Sequence, residues 1–466
     1  MKLRLLALLL LPFAGLAQTD GSAFLRDSLD TYVQRGMIDW KIPGVAVAVV
    51  KDGKVIAMKG YGVKELGGTD KVDENTLFMI GSNSKAFTAT AIAMLDAEKK
   101  LSLDDKVTKW YPSFKLYNKS AGEQAIIRDL LCHRLGFQTF QGDFTYWTSD
   151  LTREQVIEKM AHVKAVYPFR TIWGYTNAAF LTAGQIIPKA SGLSWEDYLR
   201  KNLFAPLSMT HTVALSSEYA ATGNHAEPHT IADGRLFRIP VAQIDNLAPA
   251  GSIGSSVSDL SHWVLMQLND GKYEGKQVVP ADAIAQTRTP HSIIGNGGTL
   301  YNKGHFELYG LGWGLEEYCG RKVVSHTGGV NGFVTSVTLV PEEKLGIIVL
   351  TNTDQNAFYE ALKWEIMDAC LKNEYRNYSG VYRTFMSMRE TKEIAMDKAY
   401  KDTIAMKKPT TLSLSAYAGN YFNDLYGDMK VVQEAGELRM RFSHHPNMYA
   451  KLEPLGGDRF LSLIHI

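Results

Sequence analysis

Ser82 and Lys85 stand three residues apart in Ser82-Asn83-Ser84-Lys85, a spacing that can give a nucleophile its own base. A serine hydroxyl attacks a carbonyl only when a base takes its proton. On a helix, residue i+3 lies one turn along on the same face, so the Lys85 amine can reach the Ser82 oxygen. A lysine acts as a base only if burial or a neighbouring cation lowers its pKa. Ala86, Phe87 and Ala89 are the small or apolar neighbours such burial needs. A helix start at Ser82 would also place the positive end of the dipole near a forming oxyanion. Taken alone, the four residues read more simply as a helix N-cap with a solvated lysine. Two further motifs follow in the same chain, Tyr175-Thr176-Asn177 and His326-Thr327-Gly328. Tyr175 alone reads as a core ring and Asn177 as a turn residue. Read one at a time, the three motifs keep these simpler readings.

These motifs need elements to hold them. Gly44 to Val50 is a β-branched and alanine run, Lys51-Asp52-Gly53-Lys54 reads as a turn, and Val55 to Lys59 returns; Asp-Gly favours the turns that join twisted strands. After Gly81 the pattern is helical, with Phe87, Ala91 and Leu95 at four-residue spacing. Helix-like stretches follow at 153–160, 178–190 and 259–268. Strands return at Val323, and 333–340 and 345–350 bracket a second hairpin turn at 341–344. Strands at both ends with helices between predict one antiparallel sheet built from distant segments, carrying a helical insertion. The expected fold class is therefore α/β of the α+β type. It is an antiparallel sheet flanked by helices with an all-helical subdomain, and the site lies at their junction. Residues 373–410 read as a charged helical linker, and 411–466 as a small, partial β domain.

At 466 residues, with 45% apolar and 21% charged side chains, the chain is of ordinary globular composition and long enough for two domains. A formal charge of +1 gives no field for gripping nucleic acid or an anionic membrane. Lys2 and Arg4 before the apolar run Leu5–Leu11, then Gly15-Leu16-Ala17, read as a secretory signal peptide over 1–17. The run is too short to span a bilayer, and the chain is expected to be exported, periplasmic or secreted, with no later membrane span. Leu461 to Ile466 can be encoded by CTGTCTCTTATACACATC, the transposon end used as a sequencing adapter, so the β domain is expected to be cut short. The three cysteines, Cys132, Cys319 and Cys370, form no disulfide framework and fit no zinc motif; buried free thiols are expected. There is no Gly-x-Ser-x-Gly elbow, His-Glu-x-x-His, Walker loop or dinucleotide fingerprint, so no metal or other cofactor is expected. His444-His445 would point to opposite faces of a strand and reads as surface.

The segment Leu77-Phe78-Met79-Ile80-Gly81-Ser82-Asn83-Ser84-Lys85-Ala86-Phe87-Thr88 resembles the active-site segment of class C β-lactamases and their relatives, which include D,D-peptidases, D-aminopeptidases and esterases. Tyr-x-Asn stands where the class A branch has Ser-Asp-Asn. Pro168 to Asn177 is similar to the family's second motif region, and Pro249 to Ser255 with Ser258-Asp259-Leu260 to another stretch. Ser325-His326-Thr327-Gly328-Gly329-Val330-Asn331-Gly332 resembles the third. The similarity runs from about Gly44 to about Asn352, and the C-terminal part resembles the lipocalin-like tail of some relatives. By this resemblance Ser82 is acylated, Lys85 accepts or relays its proton, and Tyr175 shuttles a proton to the leaving group, its pKa lowered by the nearby ammonium. Asn177 would hold Lys85 and the substrate amide, and His326, Thr327 and Gly328 would line the substrate. The backbone N–H groups of Ser82 and Gly329 would form the oxyanion hole.

Two departures bear on substrate. His326 stands where β-lactamases usually carry lysine. It is mostly neutral near pH 7 unless perturbed, and so can donate a hydrogen bond but offers less charge to a carboxylate. Leu135 stands where the family commonly has serine, in Leu130-Leu131-Cys132-His133-Arg134-Leu135-Gly136; that segment reads as structural, with His133 a packing or hydrogen-bonding residue. The expected function is an exported serine hydrolase forming a Ser82 acyl-enzyme on amide or ester substrates, D-amino-acid peptides or small esters. The alternatives are a class C-type β-lactamase and a non-turnover penicillin-binding or sensory protein. Expected partners are small molecules or short peptides, including β-lactams or peptidoglycan fragments.

Overall fold

The computed structural model describes residues 23–298 and 304–465; the expected signal peptide lies outside the described residues. The first hairpin forms where the sequence places it. β1 (Gly44–Lys51) and β2 (Lys54–Gly62) turn through Asp52 at φ +50° and Gly53 at φ +75°, the pair of left-handed residues that a twisted two-residue turn requires. Six later strands complete the sheet: β3 (Ser292–Gly295), β4 (Glu307–Tyr309), β5 (Gly314–Tyr318), β6 (Arg321–Val330), β7 (Phe333–Val340) and β8 (Leu345–Thr351). All neighbours are antiparallel, in the order β2-β1-β8-β7-β6-β5-β4-β3. The start of the chain thus closes on a strand some 300 residues later, with Val45 opposite Thr351 and Lys51 opposite Leu345.

The helices used below are α1 (Leu29–Asp39), α2 (Ser84–Ala97), α3 (Asp143–Tyr146), α4 (Asn177–Ser191), α5 (Val257–Leu268), α6 (Phe358–Leu371) and α7 (Tyr378–Ala405). Alternation in β1 divides its side chains between two cores. Val45, Val47 and Val49 pack with Leu29 and Val33 of α1 and Phe358, Leu362 and Ile366 of α6. Ala46 and Ala48 face the helical layer, where α5 comes so close that a Cβ on Gly346 of β8 would lie 2.2 Å from Val264. The Val-Ala-Val-Ala pattern therefore encodes a roomy face and a tight one. Within the helical layer α2 is buried along nearly its whole length. Phe87 stacks on Trp263 at 3.9 Å between ring centres, and truncating it to alanine would cost about 3–5 kcal/mol.

Beyond α7, five consecutive strands form a second antiparallel sheet: β9 (Gly419–Asn423), β10 (Gly427–Glu434), β11 (Glu437–Phe442), β12 (Tyr449–Gly456) and β13 (Arg459–His465). Among the described residues no helix is long and apolar enough to cross a membrane. All three thiols are free. Cys132 is buried as expected, but Cys319 is exposed at the tight turn between β5 and β6.

Candidate active site

The serine turn is built by three clamps. Strand Phe78–Met79 pairs with Gly254–Ser255, Ile80 N–H donates to the Ile253 carbonyl at 2.9 Å, and Ile253 N–H donates to Ser84 Oγ at 3.2 Å. Asn83 Nδ2 donates to Ile80 O and to Thr335 Oγ1 of β7 at 3.1 and 2.9 Å. Gly81 sits at φ +52°, and a Cβ there would lie 2.8 Å from the Gly329 nitrogen. A Cβ on Gly328 would lie 1.9 Å from the Ile80 carbonyl oxygen. Both positions are glycine because backbone meets backbone there. β5 pairs with β6 only as far as Ser325, so from His326 onward that edge of β6 is free to face the serine turn. This brings the exposed Gly329 alongside the half-buried Ser82.

Lys85 projects from the first turn of α2 and is fully buried. Its Nζ lies 3.1 Å from Ser82 Oγ, and donates to Asn177 Oδ1 and to the Ala250 carbonyl, each at 2.7 Å. Burial drives its pKa well below the usual lysine value, opposed by the charge of Asp143. A neutral amine carries two N–H groups and one lone pair. The two acceptors take the two N–H groups and leave the lone pair for the Ser82 proton. The stretch 249–255 thus supplies both an acceptor for Lys85 and the clamp on the serine turn.

Tyr175 and Asn177 come from the loop entering α4. A Cβ on Gly174 would lie 1.7 Å from the Phe137 carbonyl oxygen, Phe140 N–H donates to Tyr175 O at 2.9 Å, and Thr176 N–H donates to His133 Nδ1 at 3.1 Å. His133 therefore works as an acceptor that holds this loop, and its ring lies 4.3 Å from that of Tyr175. Lys85 Nζ sits over the Tyr175 ring, 4.6 Å from its centre. The Tyr175 hydroxyl is buried without a hydrogen-bond partner of ordinary geometry. Its pKa departs from the expectation: burial raises it, Ser82 lowers it, and Asp143 raises it. Lys85 does not offset this burial. In this state Tyr175 is a neutral phenol able to donate a proton.

His326 also differs from expectation. Its side chain is buried, Nε2 accepts from the Tyr309 hydroxyl at 2.9 Å, and Nδ1–H donates to the Thr327 carbonyl at 2.6 Å. Burial and Lys85 push its pKa down to about 3. The ring is neutral and both nitrogens are engaged within the protein, so the hydrogen bond expected toward substrate is already given to Thr327. Thr327 on the opposite face is exposed and Gly328 buried.

The motifs left one member unseen. Asp143, at the start of α3, accepts from Asn177 Nδ2 at 2.6 Å through Oδ2, while Oδ1 is buried without a partner. Burial raises its pKa to about 6 against the pull of Asn177 and Lys85. A chain Asp143–Asn177–Lys85–Ser82 results, able to set the charge state of the lysine and so the reactivity of the serine.

Comparison with known proteins gives the family. Residues 29–371 match the family model described as Beta-lactamase, and 405–465 match one described as a domain of unknown function, DUF3471. The chain is 26% identical to unguisins hydrolase ungD of Aspergillus violaceofuscus, over 97% of this chain and 85% of that protein. It is 27% identical to protein flp of Staphylococcus aureus, over 78% of this chain and 72% of that one. The octameric penicillin-binding protein homologue from Pyrococcus abyssi shares the fold at a TM-score of 0.65 and 22% identity, covering 94% of this chain and 95% of the other. With the family model spanning most of its length, the chain belongs to the β-lactamase family, within the serine β-lactamase and penicillin-binding-protein superfamily.

Proposed function

We propose that this protein is a serine hydrolase that cleaves amides or esters through an acyl-enzyme on Ser82. The observation that carries the reading is the fully buried Lys85, 3.1 Å from Ser82 Oγ with acceptors on its other two N–H directions. Lys85 takes the serine proton as Ser82 attacks. The Ser82 and Gly329 N–H groups hold the oxyanion, a donor of this kind being worth about 10²–10³ in rate. Tyr175 passes a proton to the leaving group, and Asn177 holds Lys85 and the substrate amide while Thr327 and Gly328 line the acyl site. Water then releases the acyl group. Membership of a family with hydrolase-named relatives supports the class of chemistry.

The substrate reading follows from His326. A neutral ring with both nitrogens occupied gives a substrate carboxylate no cation at this position. Small esters or D-amino-acid peptides therefore suit the site better than penicillins, and export to the periplasm or medium would place the enzyme with such peptides. Incubation with a p-nitrophenyl ester, a D-amino-acid amide and a penicillin, with turnover and intact mass followed together, tests this. Rapid ester or amide turnover with slow penicillin hydrolysis is expected. Penicillin as the preferred substrate would mean a β-lactamase, and a long-lived penicilloyl adduct without any turnover would mean a penicillin-binding role.

A further inference from the structure

We propose that the His444-His445 turn of the C-terminal sheet is a positioning latch for the catalytic residues. The inference rests on the Ser82 reading and adds residues outside the matched β-lactamase region. The pair lies between β11 and β12. It was expected on the surface, yet His445 is 5% exposed. Its ring stacks on Phe144 with centres 5.1 Å apart. Its Nε2–H donates to the Trp147 carbonyl at 3.2 Å. His444 Nδ1 lies 2.9 Å from Asp150 Oδ1, and the His444 carbonyl accepts from Asp150 N–H at 3.0 Å. Phe442 and Tyr426 close edge-on around Phe144.

The gripped segment, 143–150, touches both halves of the catalytic apparatus. At one end Asp143 holds Asn177, and through it Lys85. In its middle, Trp147 Nε1–H donates to Asn331 Oδ1 at 2.8 Å. Asn331 lies in the turn that follows β6, two residues after Gly329. The segment is not at rest by itself. Thr148 sits at φ +52°, a conformation unfavourable for a β-branched residue that persists only when its surroundings over-determine it. From the hydrolase side Asn246 Nδ2 holds Tyr146 O and Ser149 O at 2.9 and 3.3 Å. The histidine pair supplies the opposing grip, on Trp147 and Asp150 to either side of Thr148. The C-terminal domain thereby fixes Asp143 against Asn177 and Trp147 against the oxyanion strand without reaching Ser82 itself.

The test uses the full chain. His445→Ala is expected to slow fluorophosphonate labelling and lower kcat on a small ester about tenfold, the value of one buried hydrogen bond with its packing, while KM changes little. His445→Gln keeps an N–H donor for the Trp147 carbonyl and should restore most of the rate. Asp150→Ala opens the other half of the grip at an exposed residue and should move labelling in the same direction. Asn331→Ala combined with His445→Ala should cost less than the two single changes together, because both act through Trp147. Hydrogen exchange reads the latch without chemistry: it should accelerate at 145–150 in His445→Ala and stay unchanged in α2. Wild-type labelling with unchanged exchange in His445→Ala would overturn the latch. Absence of labelling in the wild-type protein would instead remove the Ser82 reading, and the exchange data would still decide for or against the latch.

Discussion

Two buried polar clusters lie on opposite sides of the central sheet, and they are finished differently. Behind the sheet, Glu365 accepts from the Tyr32 hydroxyl and Tyr378 N–H at 3.0 and 3.1 Å. Asp368 accepts from Tyr378 and Asn373 at 2.7 and 2.9 Å, and from Tyr318. Tyr32 also accepts from Ser379 N–H at 3.1 Å. Asp368 is bonded through both of its oxygens, and Glu365 takes both of these bonds on Oε2. In front of the sheet, His133 Nε2 and Asp143 Oδ1 are buried without partners and the Tyr175 hydroxyl has only Ser82 beside it, around a lysine that burial has made a weak proton holder. A buried polar group without a partner carries a penalty of about 1–3 kcal/mol. In the front cluster that penalty persists beside the half-buried Ser82. A cleft of about 400 Å³ lies against the rear cluster, lined by Tyr32, Arg35 and Tyr375 among others, so hollowness alone does not mark the serine site.

Lys85→Ala should lower acylation by about 10²–10⁴-fold, the range for a general base, as followed by fluorophosphonate labelling. A loss under tenfold would mean that another group takes the Ser82 proton. Next is Asp143→Asn. The ionised carboxylate holds a proton on Lys85, so its removal should move the rise of acylation rate with pH to lower pH. Stability should change with the opposite tendency. The folded-state pKa of Asp143 is raised from 3.8 to about 6. Its contribution therefore favours folding fully below 3.8 and is lost as pH rises through about 6. Asp143→Asn should accordingly raise the melting temperature more at pH 8 than at pH 5. Equal shifts at the two pH values would contradict the buried, raised carboxyl.

A smaller effect is expected at His326. His326→Lys should raise penicillin acylation relative to ester turnover by about tenfold, the worth of one charge-assisted hydrogen bond. No change in that ratio would assign carboxylate preference to another residue. The smallest effect on catalysis belongs behind the sheet. Tyr318→Phe should leave ester turnover within about twofold while costing about 1 kcal/mol in denaturant unfolding. A large fall in kcat would erase the distinction between the two clusters.

Short motifs made much of the site legible. Ser82 and Lys85 lie one helical turn apart, and Tyr175 and Asn177 flank one residue, so each pair is local in sequence, but only the resemblance of the surrounding segments to a known family joined the pairs. The hairpins were legible because Asp52-Gly53 and Pro341-Glu342-Glu343-Lys344 interrupt β-branched runs. Asp143 carried no such signal. It is a single acid in an irregular stretch, and its partner Asn177 is 34 residues away. The neutrality of His326 was equally hidden, since it depends on Tyr309 from a neighbouring segment of the sheet and on burial. The Tyr175 pKa goes up rather than down because the ring is buried, and a three-residue motif carries no sign of that burial. His444 and His445 were read by strand alternation, but they sit in a turn that packs against another domain.

The proposed mechanism turns on acylation of Ser82. Peptide mapping by mass spectrometry after fluorophosphonate treatment tests it most directly, with Ser82→Ala carried in parallel. A single adduct is expected on the peptide containing Ser82, absent in the variant together with all ester turnover. Full turnover in Ser82→Ala, or an adduct on a different residue, would contradict it.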